Sequence, residues 1–100
     1  MIAAQHGQLL SPTGYVIPVV RGTVSGRCVL ERRPVQVPDL QSRTEEYPEG
    51  SAIARDLGHR TILAVPLLRE GVPVGAINLR RDKVESFTGK QIELATTFAD

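Results

Sequence analysis

The chain has 100 residues, of which 41% are hydrophobic and 23% charged, with 12 basic and 11 acidic side chains and a net charge of +1. That length fits one domain with one modest core. The near balance of charge argues against a strong pull on DNA or an anionic membrane, and four aromatic residues (Tyr15, Tyr47, Phe87, Phe98) without Trp argue against a base-stacking platform.

Cys28 is the only cysteine. A lone thiol forms no intrachain disulfide and fits a reducing compartment. No apolar run approaches transmembrane length, and the first seven residues lack the basic-then-apolar pattern of a signal peptide. A soluble, cytoplasmic protein is therefore expected.

In chain order, residues 2 to 6 predict a short strand that stops at Gly7. Residues 8 to 22 hold Ser11-Pro12, Thr13-Gly14, Pro18 and Gly22. This punctuation predicts a loop, with one extended piece over Val16 to Val20. Thr23 to Arg33 predicts a helix, with Thr23 or Ser25 as N-cap, Val24, Cys28 and Val29 on its apolar face, and Pro34 ending it. Val35-Gln36-Val37 alternates like a half-buried strand and stops at Pro38-Asp39.

Residues 39 to 50 are polar and predict a long loop, of the kind that is functional or mobile in compact domains. Ser51 is placed to cap a short helix through Leu57, closed by Gly58 in the left-handed position. The strongest signal follows. Thr61 to Leu68 is apolar on both faces, which predicts a strand covered on both sides. Glu70-Gly71 is a tight turn, and Val72 to Leu79 returns antiparallel. Pro66 and Pro73 each lack an N–H, so a bulge or an outward-facing position is expected at each. Thr88 and Gln91 form a capping box, with Phe87 and Ile92 as a hydrophobic staple. Ile92, Ala95, Phe98 and Ala99 keep helical spacing, and no stop signal precedes Asp100.

The segments "GRCVLERRPVQVPD" (26 to 39) and "ILAVPLLREGVPVGAINLRR" (62 to 81), taken with His6-Gly7 before them and Phe87-Thr88 after, resemble the GAF domain family. The resemblance runs from Met1 to Asp100 and is nearest to GAF domains of bacterial sensor histidine kinases and nucleotide cyclases. It implies an α+β, PAS-like fold: an antiparallel sheet flanked by helices on both faces, with a pocket on one face roofed by the variable loop and short helix. Family members normally begin with a helix and a first central strand. The chain is accordingly expected to be a single GAF domain over 1–100, truncated at both ends, with a middle strand lacking from its sheet.

The family's usual task is to bind a small molecule or partner and alter the output of a linked catalytic domain. Placed on this sequence, the ligand-binding candidates are Gly26, Tyr47, Ile53, Asp56, His59 and Thr61, with Arg55 beside them. Each has a plainer reading as packing or solvated surface: Gly26 as a close-packed helix start, His59 as a C-capping or surface residue. Cys28 falls on an apolar helix face, where an inert thiol is expected. A phytochrome-type site wants a histidine soon after the cysteine, and none follows. His6 and His59 are far apart with no metal-ligand spacing, so no metal is expected, and the cofactor is unknown. Arg80, Arg81 and Lys83 read as a solvated strand end. The acidic pair of cyclic-nucleotide-binding members is absent at Lys90-Gln91.

No Ser-His-Asp set or paired carboxylates appear, so no catalytic residue is assigned. The expected function is a sensor module binding a small molecule between sheet and roof, as a homodimer, with no nucleic acid or membrane partner. The alternatives are a ligand-free dimerisation module that relays signals and, less favoured by the single cysteine, an enzyme of the methionine-sulfoxide-reductase type.

Overall fold

Backbone pairing is dictated by the apolar hairpin at the centre of the sequence. The computed structural model describes the strand backbones of 2–4, 8–10 and 16–18 and all of residues 20–99. The strands are β1 (Ile2–Ala4), β2 (Gln8–Leu10), β3 (Val16–Pro18), β4 (Val35–Val37), β5 (Thr61–Arg69) and β6 (Val72–Arg81). They form one antiparallel sheet in the order β3-β2-β1-β6-β5-β4. The helices are α1 (Val24–Glu31), α2 (Pro48–Leu57) and α3 (Gly89–Ala99), with a 3-10 turn at Leu40–Ser42.

β5 and β6 hold the sheet together. Their turn places Glu70 at φ 53° and Gly71 at φ 79°, the mirror-image geometry that matches the right-handed twist of the strands. Residues 62 and 64 pair with 80 and 78, and 63 and 65 pair with 79 and 77. Because side chains alternate along a strand, the two sets lie on opposite faces. Ile62, Ala64 and Ala76 join Val24, Cys28, Val37, Leu40, Tyr47 and Ala54 beneath α1 and α2. On the other face, Leu63 and Val65 meet Ala99, with Phe87, Ile92 and Ala95 packed around them. The doubly apolar β5 is thus covered on both sides, as its sequence predicts, and the fold class is α+β.

Register slips once, between Leu67 and Leu68, where Leu67 pairs with Gly75 and Leu68 with Pro73. Val74 is the extra residue, so the expected bulge sits beside Pro73. Pro66 lies beyond β4, which pairs with β5 only from Ile62 to Ala64.

Several boundaries differ from the sequence expectation. Gln8–Leu10 is a strand where a loop was expected; Ile2–Ala4 is extended as expected, and the rest of that expected strand, with Gly7 and Tyr15, lies outside the described residues. The sheet does not lack a neighbour for β6, since β1 takes that place, with Ile2 opposite Gly75. α1 begins after Thr23, whose hydroxyl accepts the Gly26 N–H at 3.0 Å. It ends at Glu31, because Arg32 turns to φ 57° and its N–H returns to the Cys28 carbonyl. Ser25 is inside the helix and caps nothing.

α2 begins at Pro48, three residues before the expected Ser51 cap. Proline has its φ preset for the first helical position and no N–H to leave unpaired there. Ser51 is buried inside the helix, its hydroxyl donating to the Pro48 carbonyl at 3.1 Å. Gly58 closes the helix at φ 83° as expected. In α3 the capping box is present in both directions, with Gln91 N–H to Thr88 Oγ1 at 3.1 Å and Thr88 N–H to Gln91 Oε1 at 2.8 Å. Phe98 does not join the core: it is 88% exposed. No helix among the described residues is long and apolar enough to cross a membrane.

Candidate functional site

The roof over the sheet is built from α1, the 3-10 turn and α2. Arg27 fastens it: its guanidinium lies 4.4 Å from the centre of the Tyr47 ring, donates to the Tyr47 hydroxyl at 3.2 Å and pairs with Glu46 at 3.6 Å. The Gly50 N–H donates to the Gly22 carbonyl at 2.8 Å, tying the start of α2 to the segment leading into α1. Tyr47 is 2% exposed, and burial holds its phenol above the usual range. It is therefore a neutral anchor of the roof.

Beneath the roof lies a cavity of about 20 Å³, room for about one water. Val24, Leu40, Ile53 and Ile62 supply its apolar wall; Ser25, His59, Asn78 and Arg80 are polar members of its lining. Ser25 and Asn78 bridge helix and sheet, Oγ to Oδ1 at 2.9 Å. His59 is 6% exposed, and neither ring nitrogen has a hydrogen-bond partner among the described residues. Burial, aided by the Arg80 charge, pushes its pKa down to about 4. The imidazole is thus neutral near pH 7, with one donor and one acceptor to offer. A buried polar group left unpaired is costly, typically by 1–3 kcal/mol, and such groups gather where proteins bind or react.

His59 and Arg80 also line a second, open depression of about 360 Å³ at the end of α2, with Leu57, Gly58, Arg81 and Asp82. The two residues stand between interior and solvent. Arg81 is already engaged, pairing with Glu85 at 3.0 Å, donating to Gln91 and stacking 4.3 Å over Phe87. The Arg80 side chain, which is exposed, has no hydrogen bond or ion pair among the described residues.

Of the six ligand candidates in the sequence, the structure brings Ile53 and His59 to the cavity. Gly26 lies in the first turn of α1 with its N–H given to Thr23, and a Cβ there would meet the Val20 carbonyl oxygen at 2.4 Å. Its role is close packing. Tyr47 anchors the roof, and Asp56 is exposed on α2. Arg55 is exposed as well, donating to the Gln41 carbonyl. Thr61 belongs to the loop beyond β6: its hydroxyl donates to the Lys83 carbonyl at 2.7 Å and accepts from the Glu85 N–H at 3.0 Å. Ser25, Asn78 and Arg80 were missed. The alternation of β6 was the available signal, because residues 78 and 80 share a face with 76 once the hairpin register is fixed.

Cys28 is fully buried on α1, and burial pushes its thiol up to about 12. Thiolate is the reactive form, so this position is inert near neutral pH. Among the described residues no cluster of His, Cys, Asp or Glu is placed to hold a metal ion.

No curated protein sequence matches the chain. Among solved structures, the free methionine-R-sulfoxide reductase from Neisseria meningitidis in complex with its substrate superposes with TM-score 0.76 at 20% identity, over 98% of this chain and 59% of that one. The type II free methionine-R-sulfoxide reductase from Thermoplasma acidophilum gives TM-score 0.67 at 21% identity, over 85% and 55%. A domain of a two-component sensor histidine kinase protein from Sinorhizobium meliloti 1021 gives TM-score 0.62 at 23% identity, over 93% and 69%. The chain thus spans 55–59% of the length of the two reductases. At such identities they speak for the fold alone. The family model described as GAF domain matches residues 3–100, and with the sheet, roof and cavity in place the chain belongs to the GAF domain family.

Proposed function

We propose that this GAF domain is a sensor module of a signalling protein, taking a small molecule between the sheet and the roof of α1 and α2. The observation that carries this reading is His59, buried against the cavity with both ring nitrogens unpartnered among the described residues. A ligand that accepted and donated there would satisfy two nitrogens for which the described residues supply no partner. Because the cavity holds about one water, occupation would lift the roof, and that movement is the output signal. The buried thiol of Cys28 weighs against the sulfoxide-reductase alternative, which needs an accessible thiolate.

Native mass spectrometry of the purified chain tests the proposal. A small-molecule adduct is expected, and it should disappear in Ser25→Leu, which fills the cavity. An adduct that persists unchanged in Ser25→Leu, or its absence from both proteins after incubation with cell extract metabolites, counts against the reading.

A second reading is favoured by α3. Leu94 is 64% exposed and Phe98 88% exposed. They flank an open apolar groove of about 410 Å³ between α3 and β6, floored by Ile77 and Leu79. Such a surface fits pairing with a second copy of the chain, and a homodimer would carry a signal through α3. The two readings are compatible: the ligand acts on one face of the sheet and the dimer forms on the other.

A further inference from the structure

We infer that the ligand of this site carries a single carboxylate, gripped by Arg80 where the inner cavity meets the open depression, with the imidazole of His59 adding a hydrogen bond from inside. The inference rests on the sensor reading above and specifies its ligand. Arg80 lines both spaces and has no ion-pair partner among the described residues. The other guanidinium there, Arg81, is held by Glu85. A planar guanidinium matches a carboxylate with two parallel hydrogen bonds.

The depression presents two guanidiniums and one carboxylate, Asp82. Arg81 is already neutralised by Glu85, so Arg80 is the one guanidinium of the pair left with charge to offer, which sets a singly charged carboxylate above a phosphate dianion. A cation is disfavoured by the same inventory. Two of the carbonyls near the end of α2 already accept hydrogen bonds: Ala54 O from the Gly58 N–H at 2.8 Å and from Gln41 Nε2 at 3.4 Å, and His59 O from Gln41 Nε2 at 2.9 Å. What remains open is a positive group and a neutral ring, both suited to an oxyanion.

Titration of the isotope-labelled chain with sodium acetate, acetamide and inorganic phosphate, at constant ionic strength in chloride and followed by amide and Arg Nε resonances, tests the inference. Acetate should saturably shift Arg80 Nε and the amides of Ser25, Ile53 and Asn78. Acetamide should bind about tenfold more weakly or worse, and phosphate no more tightly than acetate. Arg80→Gln should lose about tenfold in acetate affinity, while Arg80→Lys, which keeps the charge without the fork, should lose less. Equal binding of acetate and acetamide, unaltered acetate binding in Arg80→Gln, or tighter phosphate binding would overturn the carboxylate assignment and leave the sensor reading standing. If no probe moves any of these resonances, the assignment falls and the sensor reading loses its support with it.

Discussion

His59 is the residue whose chemistry is least explained by folding. Its folded pKa is about 4 against an ordinary value of 6.5. Above pH 6.5 the imidazole is neutral in both folded and unfolded chains, and stability does not vary through it. Between 6.5 and about 4 the unfolded chain takes up a proton that the folded chain refuses. Stability therefore falls as pH falls, by up to ~3 kcal/mol, and levels off below 4. Urea unfolding at a series of pH values should show this slope. His59→Leu should abolish it and, by removing two unpaired nitrogens, should be more stable than the parent at pH 5 by about 2 kcal/mol. An unchanged slope in the variant would place the acid sensitivity elsewhere. Stability withheld at one side chain in this way is common at sites kept for binding.

At the scale of elements, the β5–β6 turn carries an avoidable strain. Glu70 sits at φ 53°, in a region that glycine and asparagine enter more easily than a long side chain. The side chain is exposed, so Glu70→Asn should stabilise the hairpin by roughly 0.5 kcal/mol, read as a raised urea midpoint with unchanged slope. This hairpin was also the most legible part of the sequence. A run apolar on both faces, then Glu70-Gly71, then a second run, leaves few other arrangements, and Thr88-x-x-Gln91 marks its helix start just as locally.

The roof was less legible because its determinants are not local. Pro48 starts α2 where a Pro-Glu-Gly string reads as a loop, and Tyr47 at its head makes no side-chain cap; the helix is held by Arg27 from another element. The site suffered for the same reason. Thr61 is on the entering strand, yet odd-numbered residues of β5 face α3, so its hydroxyl serves the loop at Lys83. Arg80 read as a solvated strand end and is exposed, and its pairing opposite Ile62 sets it at the edge of the cavity. Ile53 and His59 were found early, from their positions in and just after the short helix.

For the molecule as a whole, the question is what covers α3. Phe98→Ser should alter monomer stability by no more than about 0.5 kcal/mol, since the ring is almost wholly in solvent. If the face pairs two copies, sedimentation should show the parent chain as a concentration-dependent dimer and the variant as a monomer. A parent chain that sediments as a monomer at every concentration would remove the dimer from the proposed output.

The two faces of the sheet share one ribbon. On β5 and β6 the residues paired as 62 with 80 and 64 with 78 look towards the cavity, and those paired as 63 with 79 and 65 with 77 look towards α3. A displacement of the ribbon beneath the roof is therefore felt at once by the helix on the far side, with no longer path needed between them.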